Sequence, residues 1–455
     1  MHCLFSIIQR CKSVKRTVVS LLLALTGFLL PAHAALQSGP MLSHVDMREA
    51  IIWLQADRPS TLAIRYNETG TEKKFLSEGV QVSHEHAFTA TIRLDRVEPG
   101  RSYNYEILQD GAPIDSGYKL KTPDNYYFRA PPPDFSFAVG GAHYVTEEGF
   151  EPPYQILGGG YNIFEVIRNA SPEFMLWAGN TAHIRRSDFT SRSGIFKRFS
   201  HARNIPELKQ LLSDIPHYAV WSKADYGFHN DGKYSSYRRD VETAFKAFWP
   251  RPVTVPTLEG IASRFRYADV DFFLLDVRSY RDELPNTRKL PEVLGKAQIE
   301  WLRQELIRSD ATFKIILSGS PVLNPANSPE NLSHADSEHN ALLEALRRER
   351  ISGLFFISGG KYSGELTKLV HASNYNLYDI TVGPLTANPN TNHNELNYFR
   401  VPSTSTAERQ FALFQVSGTE ENRQLKVQTI NILGDVLWSR TIRAAELQLA
   451  ESLSK

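Results

Sequence analysis

The hydrophobic pattern of this chain changes abruptly at Pro131-Pro132-Pro133, and the change divides the sequence into two differently built parts. Before these prolines, apolar residues alternate with polar ones, as at Leu62, Ile64 and Tyr66. After them, short compact apolar runs each end in a cluster of glycine or polar residues. Alternation predicts half-buried strands, whereas compact runs between helical periods predict the buried strands of an α/β fold. We therefore expect two domains of different class.

Residues 35–125 are predicted to form an all-β sandwich of immunoglobulin or fibronectin type. Short alternating runs are separated by turn signals such as Pro99-Gly100 and Asp110-Gly111, a spacing typical of such sandwiches. Residues 126–134 are interpreted as a proline-rich linker, because consecutive prolines stiffen a chain.

Residues 135–455 are predicted to form layered β-sheets flanked by helices. Helical periods lie between several of the apolar runs, for example at Val241, Phe245 and Phe248. Ligands of such folds bind at the carboxyl ends of the strands, so the clusters that end the runs are the candidate functional loops. The runs are Phe135–Val139, Phe174–Trp177, Tyr218–Trp221, Phe272–Leu275, Ile315–Leu317 and Leu354–Ile357.

Residues 1–34 have the pattern of a cleaved secretory signal peptide. Four basic residues with no acid precede the apolar stretch Val18–Leu30, and Ala32-His33-Ala34 is a small-residue cleavage site. The stretch is short for a membrane span, although an uncleaved anchor is the alternative. We expect a periplasmic or secreted protein with no membrane span after the signal is removed. Both cysteines, Cys3 and Cys11, lie in the signal.

The charge of the chain argues against nucleic acid as a partner. It has 51 basic and 50 acidic side chains, a formal net charge of +1, and the signal carries four of the positive charges and none of the negative ones. A nucleic-acid-binding domain shows a basic face and a high isoelectric point.

Six blocks of the sequence, taken in order, resemble blocks of the PhoD-type alkaline phosphatases, a branch of the metallophosphoesterases. They are Gly39–Trp53, Pro172–Gly179, Pro216–Trp221 with Asp225–Gly227, Phe272–Arg281, Lys314–Asn324, and Phe355–Gly359 with Glu365-Leu366. The resemblance covers nearly the whole mature chain. It implies a fibronectin-like domain followed by a phosphatase domain that holds two metal ions, with a metal-bound hydroxide attacking phosphorus and a histidine assisting the leaving group.

The sequence departs from the family pattern in the four loops that the resemblance implies should hold the metals. The family's Gly-Ser-Cys reads Gly140-Gly141-Ala142, its Gly-Asp-Asn reads Gly179-Asn180-Thr181, its Asp-Asp-His-Asp reads Ser222-Lys223-Ala224-Asp225, and its Ser-Gly-Asp-Arg-His reads Ser358-Gly359-Gly360-Lys361-Tyr362. The degenerate positions are Ala142, Asn180, Lys223, Ala224, Gly360 and Tyr362. They carry none of the family's carboxylates and no thiolate, whereas a pair of metal ions needs several anionic or soft ligands.

We therefore expect a pseudo-phosphatase that keeps the fold, holds no metal cofactor and has no catalytic residue at these positions. It would act by binding a small anionic ligand or a protein partner. The alternative is an active metal-dependent phosphomonoesterase or phosphodiesterase with a rebuilt set of ligands. The candidate anion- or ligand-binding residues are Asn180, His183, Lys223, Asp225, Lys361 and Tyr362. Lys223 and Lys361 are expected to reach into the former metal pocket, either to bind an anion or to neutralise a carboxylate such as Asp225.

Overall fold

The computed structural model describes residues 36–448 apart from 153–155, 228–230, 252, 254, 284–290, 371–375 and 392–394. The predicted signal peptide and both cysteines lie outside the described residues.

Twenty strands and seven α-helices make up the described part of the chain. The strands are β1 (Leu36–Val45), β2 (Ala50–Ala56), β3 (Ser60–Glu68), β4 (Lys74–Leu76), β5 (Val80–Val82), β6 (Thr89–Leu94), β7 (Ser102–Gln109), β8 (Ala112–Lys121), β9 (Phe135–Gly140), β10 (Phe174–Ala178), β11 (His217–Val220), β12 (Ser263–Tyr267), β13 (Val270–Leu274), β14 (Phe313–Ser318), β15 (Leu354–Ser358), β16 (Glu365–Val370), β17 (Asn376–Thr381), β18 (Gln410–Ser417), β19 (Gln424–Asn431) and β20 (Val436–Arg443). The helices are α1 (Ile163–Asn169), α2 (Arg192–Arg203), α3 (Pro206–Asp214), α4 (Lys223–Tyr226), α5 (Arg238–Phe248), α6 (Lys296–Arg308) and α7 (Asp336–Arg348).

Two small sheets form an N-terminal all-β region. One has the strand order β1-β2-β6, and the other has the order β4-β3-β7-β8 with β5 paired to β3. Ile52, Ile64, Ile92 and Ile107 share one apolar core between them. The alternating residues therefore point inward as predicted, and the predicted fold class of this region is confirmed.

Strand β2 departs from simple alternation, because all seven of its residues are buried. Trp53 belongs to the core of the α/β domain, and its indole Nε1 donates a hydrogen bond of 2.7 Å to the carbonyl of Ala247. The guanidinium of Arg203 lies 4.6 Å from the centre of the Trp53 ring and 4.0 Å from that of Trp249. Both faces of β2 are thus covered, and the all-β region packs directly on the phosphatase-like domain.

The remainder of the chain has the predicted layered α/β architecture. Two six-stranded sheets have the orders β11-β10-β9-β18-β19-β20 and β12-β13-β14-β15-β17-β16. They pack face to face: the Phe137 ring of the first sheet lies 5.3 Å from the Phe272 ring of the second, with the rings perpendicular. Strands β9, β10 and β11 run parallel, as do β13, β14, β15 and β17.

The helices cover the sheets with apolar faces. Helix α5 buries Val241, Ala244, Phe245 and Phe248, the spacing that the sequence predicts, and it packs beside α2. Among the described residues, none of the helices has the length and hydrophobicity needed to cross a bilayer.

Candidate functional site

The candidate functional loops meet at one edge of the two sheets, because parallel strands end there side by side. Strands β9, β10 and β11 lead into the first three loops, and β15 leads into the fourth. The loops from the two sheets are in direct backbone contact: a methyl group on Gly359 would lie 1.8 Å from the carbonyl oxygen of Ala178. Gly360 has a φ of +76°, a conformation that favours glycine.

Asp225 is the one family carboxylate that survives at these positions, and protein groups occupy both of its oxygens. Oδ1 accepts hydrogen bonds from Thr181 N at 2.5 Å, Thr181 Oγ1 at 2.9 Å and Ala182 N at 2.8 Å. Oδ2 accepts one from Ser222 N at 3.0 Å. Asp225 is completely buried, and burial raises its pKa while these hydrogen bonds act in the opposite direction. Its carboxylate closes the turn that begins α4.

Asn180 stands where the family has its metal-bridging aspartate, and it is also completely buried. Its Oδ1 accepts a hydrogen bond of 2.9 Å from Ala224 N, which ties the β10 loop to α4. Its Nδ2 has no hydrogen-bond partner among the described residues. The position therefore presents an N–H donor on the side where a metal ion would require an anionic acceptor.

Lys223 begins α4, and its ammonium lies 5.8 Å from the centre of the Tyr362 ring, within the range of a cation–π contact. The ammonium makes no hydrogen bond or ion pair with another described residue. Burial lowers the pKa of Lys223; the carboxylate of Glu330 opposes this effect, and the cations Arg278, Lys361 and Arg281 add to it.

His183 and Tyr362 are brought together across the edge of the sheets. His183 Nδ1 donates to the backbone carbonyl of His143 at 2.9 Å, so Nε2 is free to accept the hydrogen bond from the Tyr362 hydroxyl at 2.8 Å. Burial, together with the nearby Arg198 cation, lowers the pKa of His183 to about 3. The imidazole is consequently neutral at physiological pH.

Ala142, at the family's thiolate position, belongs to a small apolar cluster. It is buried with Tyr144 and Ala387, and the ring of Tyr362 and the side chain of Leu157 pack against them. An alanine methyl group and a phenol ring thus occupy space next to the positions of the lost ligands.

A pocket of about 390 Å³ opens beside this cluster. It is lined by Tyr144, Leu157, His183, Ile184, Arg185, Arg186, Lys223, Ala224, Gly227 and Tyr362. Of the six candidate ligand-binding residues, His183, Lys223 and Tyr362 line it, whereas Asn180 and Asp225 are buried behind it. Lys361 lies outside this lining, because its ammonium binds both carboxylate oxygens of Glu395, at 2.6 and 2.9 Å.

Sequence reasoning missed several residues of this pocket, among them Tyr144 and Arg185. Tyr144 lies two residues after Ala142 of the first loop, and this proximity in the sequence could have identified it as a pocket residue. Arg185 forms ion pairs with Asp188 at 2.8 Å and Glu147 at 2.6 Å. Arg278 pairs with Glu330 at 2.6 Å, although these residues are far apart in the sequence and no local pattern links them.

The residues at this edge do not fit the two metal ions that the fold family uses. The described residues include no group of three or more histidine, cysteine, aspartate or glutamate side chains placed to hold a metal. Asp225 has four protein donors on its carboxylate, Asn180 presents an amide and Lys223 adds a positive charge. A divalent ion prefers carboxylate oxygen, imidazole or thiolate, and we derive no step through one.

Comparison with known proteins identifies the fold and the family. Residues 33–125 match a domain of unknown function (DUF7800), and residues 137–438 match the PhoD-like phosphatase family. A solved structure of PhoD has a TM-score of 0.69 at 13% identity, covering 92% of this chain and 90% of that one. Purple acid phosphatase PPD1 from yellow lupin (Lupinus luteus) seeds has a TM-score of 0.64 at 13% identity, covering 89% of this chain and 74% of that one.

At these identities the two structures show the shared fold alone. A search of curated proteins gives no match. The family model nevertheless spans well over half of the sequence and includes all four degenerate loops. Because of that match and the shared architecture of two packed sheets, we conclude that the chain belongs to the PhoD-like phosphatase family.

Proposed function

We propose that this protein is a pseudo-phosphatase: it keeps the family fold, does not hydrolyse phosphate esters, and acts by binding a small anionic ligand in the pocket at the strand ends. The observation that carries the proposal is the bonding of Asp225. Its carboxylate accepts four hydrogen bonds, three from backbone N–H groups of two loops and one from the Thr181 hydroxyl, so it is part of the scaffold. Releasing it to a metal would leave buried N–H groups without acceptors.

The charge of the pocket supports an anion as the ligand. Lys223 stands at a position where the family has a carboxylate ligand, and among the described groups its ammonium contacts the face of the Tyr362 ring and has no carboxylate within ion-pair distance. A partly desolvated cation without a counter-ion is unfavourable, and a bound anion would supply the missing charge.

Metal content and turnover, measured on the same purified protein, test the proposal. Elemental analysis should find less than one bound ion per chain after incubation with calcium, iron, manganese or zinc salts. Hydrolysis of 4-nitrophenyl phosphate and of bis(4-nitrophenyl) phosphate should stay at the buffer rate. Two tightly bound ions per chain, with turnover that a chelator abolishes, would overturn the proposal and establish the alternative of an active enzyme with a rebuilt ligand set.

We further propose that residues 1–34 direct the protein to the periplasm or the exterior and are then removed. The basic start, the apolar stretch and the Ala32-His33-Ala34 site support this. Cell fractionation with N-terminal sequencing tests it: a mature chain starting at Ala35 is expected, and a cytoplasmic chain that retains Met1 would contradict it.

A further inference from the structure

Among the described residues, Lys223 lines the pocket with no carboxylate within ion-pair distance of its ammonium, whereas Arg198 and Arg281, which also lack a carboxylate partner, are buried outside the lining. Arg185 binds Asp188 and Glu147, and Lys361 binds Glu395. Behind the pocket, Arg278 is paired with Glu330. Lys223 lies among these groups, and its ammonium has no hydrogen-bond or ion-pair partner within the described part of the chain. The charge that the site offers to a ligand is therefore centred on one ammonium.

Arg185 and Arg186 also line the pocket, the first with its charge balanced by carboxylates, and the other titratable groups that face it add no positive charge. His183 is neutral, because its pKa is lowered to about 3. The pKa of Tyr362 is raised, first by burial and then by the negative charges of Asp225 and Glu330. The same negative charges oppose any further anionic charge placed beside the phenol. Arg186 lies at the exposed mouth of the pocket, where water weakens its charge interactions.

The remaining walls of the pocket are apolar. Tyr144, Leu157 and Ile184 line it together with the Tyr362 ring. The volume of about 390 Å³ lies within the range of pockets that hold small organic ligands. A bare inorganic ion would leave these apolar walls exposed to water, whereas an organic group attached to the anion would cover them.

We infer that the pocket recognises an organic monoanion: one singly charged oxyanion group bound by Lys223, carried on an apolar or aromatic body that packs against Tyr144 and Leu157. This inference rests on the proposed function and narrows it. The phosphate monoester dianion, the usual form of a phosphatase substrate at neutral pH, carries one more charge than the site balances. On binding, that second negative charge would lose its hydration without gaining a positively charged partner.

Two esters of the same shape and different charge test the inference. Phenyl sulfate carries one negative charge, and phenyl phosphate carries two at pH 8, since the second pKa of a phosphate monoester is about 6. We expect calorimetric titration of the mature protein at pH 8 to give phenyl sulfate an affinity about tenfold or more above that of phenyl phosphate. Inorganic sulfate should bind more weakly than phenyl sulfate, because it lacks the apolar body.

Matched lysine variants test the assigned residue. Lys223→Met keeps the aliphatic stem and removes the charge, and it should weaken phenyl sulfate binding about tenfold or more. Lys209→Met removes an exposed lysine on α3 and should leave binding unchanged. Circular dichroism spectra of both variants check that they fold, and Lys223→Arg should retain part of the affinity because it retains the charge.

The possible outcomes separate this inference from the proposed function. Stronger binding of phenyl phosphate than of phenyl sulfate, with no hydrolysis, would overturn the monoanion inference and leave the pseudo-phosphatase proposal intact. Equal loss of phenyl sulfate affinity in Lys223→Met and Lys209→Met, or the absence of binding of either ester by the unaltered protein, would also overturn the inference. Hydrolysis of phenyl phosphate would overturn the proposed function itself.

Discussion

The hydroxyl of Tyr362 donates a hydrogen bond of 2.8 Å to Nε2 of His183, the nitrogen that is left without a proton because Nδ1 faces a backbone carbonyl. Nδ1 donates to the carbonyl of His143, so both nitrogens are engaged and the ring is neutral. The resemblance to the family implies a histidine near the leaving group at the end of the fourth loop, where this chain has Tyr362. The phenol in that position orients a second side chain from the other sheet.

Replacing Tyr362 with phenylalanine should lower the free energy of unfolding by about 1 kcal/mol, because a buried acceptor on His183 loses its donor while the ring packing is kept. Urea unfolding monitored by circular dichroism measures the change. Tyr234→Phe is the control, since that tyrosine is 72% exposed. Equal effects of the two substitutions would show that the hydroxyl of Tyr362 contributes nothing to stability.

Replacing Asp225 with asparagine should be much more costly, about 3 kcal/mol, because the amide keeps one acceptor oxygen but turns its NH2 group toward a buried backbone N–H, that of Ser222, which loses its acceptor. The thermal or urea midpoint should fall accordingly. Asp57→Asn is the control, as the side chain of Asp57 is 42% exposed and its polar contacts are long. A midpoint unchanged by Asp225→Asn would contradict the scaffold role of this carboxylate.

Replacing Lys223 with methionine should stabilise the ligand-free protein, because folding moves this ammonium into a partly desolvated site and lowers its pKa. The sign of the pH dependence follows. The folded protein gives up the Lys223 proton at a lower pH than the unfolded chain, whose lysine pKa is near 10.5, so the penalty shrinks as pH rises toward that value. The difference in unfolding free energy between Lys223→Met and the unaltered protein should therefore narrow from pH 7 to pH 10. A widening difference would contradict the assignment.

Two buried histidines and the part-buried His183 should make the protein sensitive to mild acid. Burial lowers the pKa of His143 to about 4 and those of His183 and His217 to about 3, against 6.5 for the ordinary side chain. Below pH 6.5 the unfolded chain gains protons that the folded protein does not, so stability falls as pH drops toward about 4. Each histidine contributes up to about 1.4 kcal/mol per pH unit. Urea midpoints at pH 7.5, 6.0 and 5.0 measure this loss.

His217→Gln provides the matched test of that acid sensitivity. His217 Nδ1 accepts from the Trp177 indole and Nε2 donates to the carbonyl of Leu211, both at 3.0 Å, and a glutamine amide offers one acceptor and one donor in the same place. The variant should show a shallower decline with acid, whereas His84→Gln, on an exposed turn, should keep the original slope. Identical slopes would show that His217 is not a source of the acid sensitivity.

Much of the fold follows from periodicity in the sequence, because periodicity records which side of each element is buried. Val241, Phe245 and Phe248 predict the inward face of α5, and Ile52 and Ile92 predict inward positions of the all-β region. The burial of both faces of β2 was not predictable in the same way. It depends on contacts of Trp53 with Ala247 and Arg203, which lie in a different domain.

The candidate site was predictable as a place but not as an arrangement. The order of strands and polar loops predicts that the four degenerate loops meet at one edge, as they do. The pairing of His183 with Tyr362 and that of Lys361 with Glu395 depend on how loops from different strands are placed side by side, and no local spacing encodes this. We expected Lys361 to reach into the pocket with Lys223. Its ammonium instead binds Glu395, a counter-ion that the sequence pattern does not identify.

If the protein is the pseudo-phosphatase proposed above, the bonding of Asp225 makes a return to metal chemistry hard to reach one substitution at a time. Reinstating a lost ligand at Asn180 or Lys223 would place another negative charge near this buried acid before any cation had arrived to balance it. To bind a metal ion, Asp225 would also have to give up the hydrogen bonds by which it closes its turn. Each intermediate would fold less well than the chain it came from, so under the proposed function a metal centre could be regained only by several substitutions together.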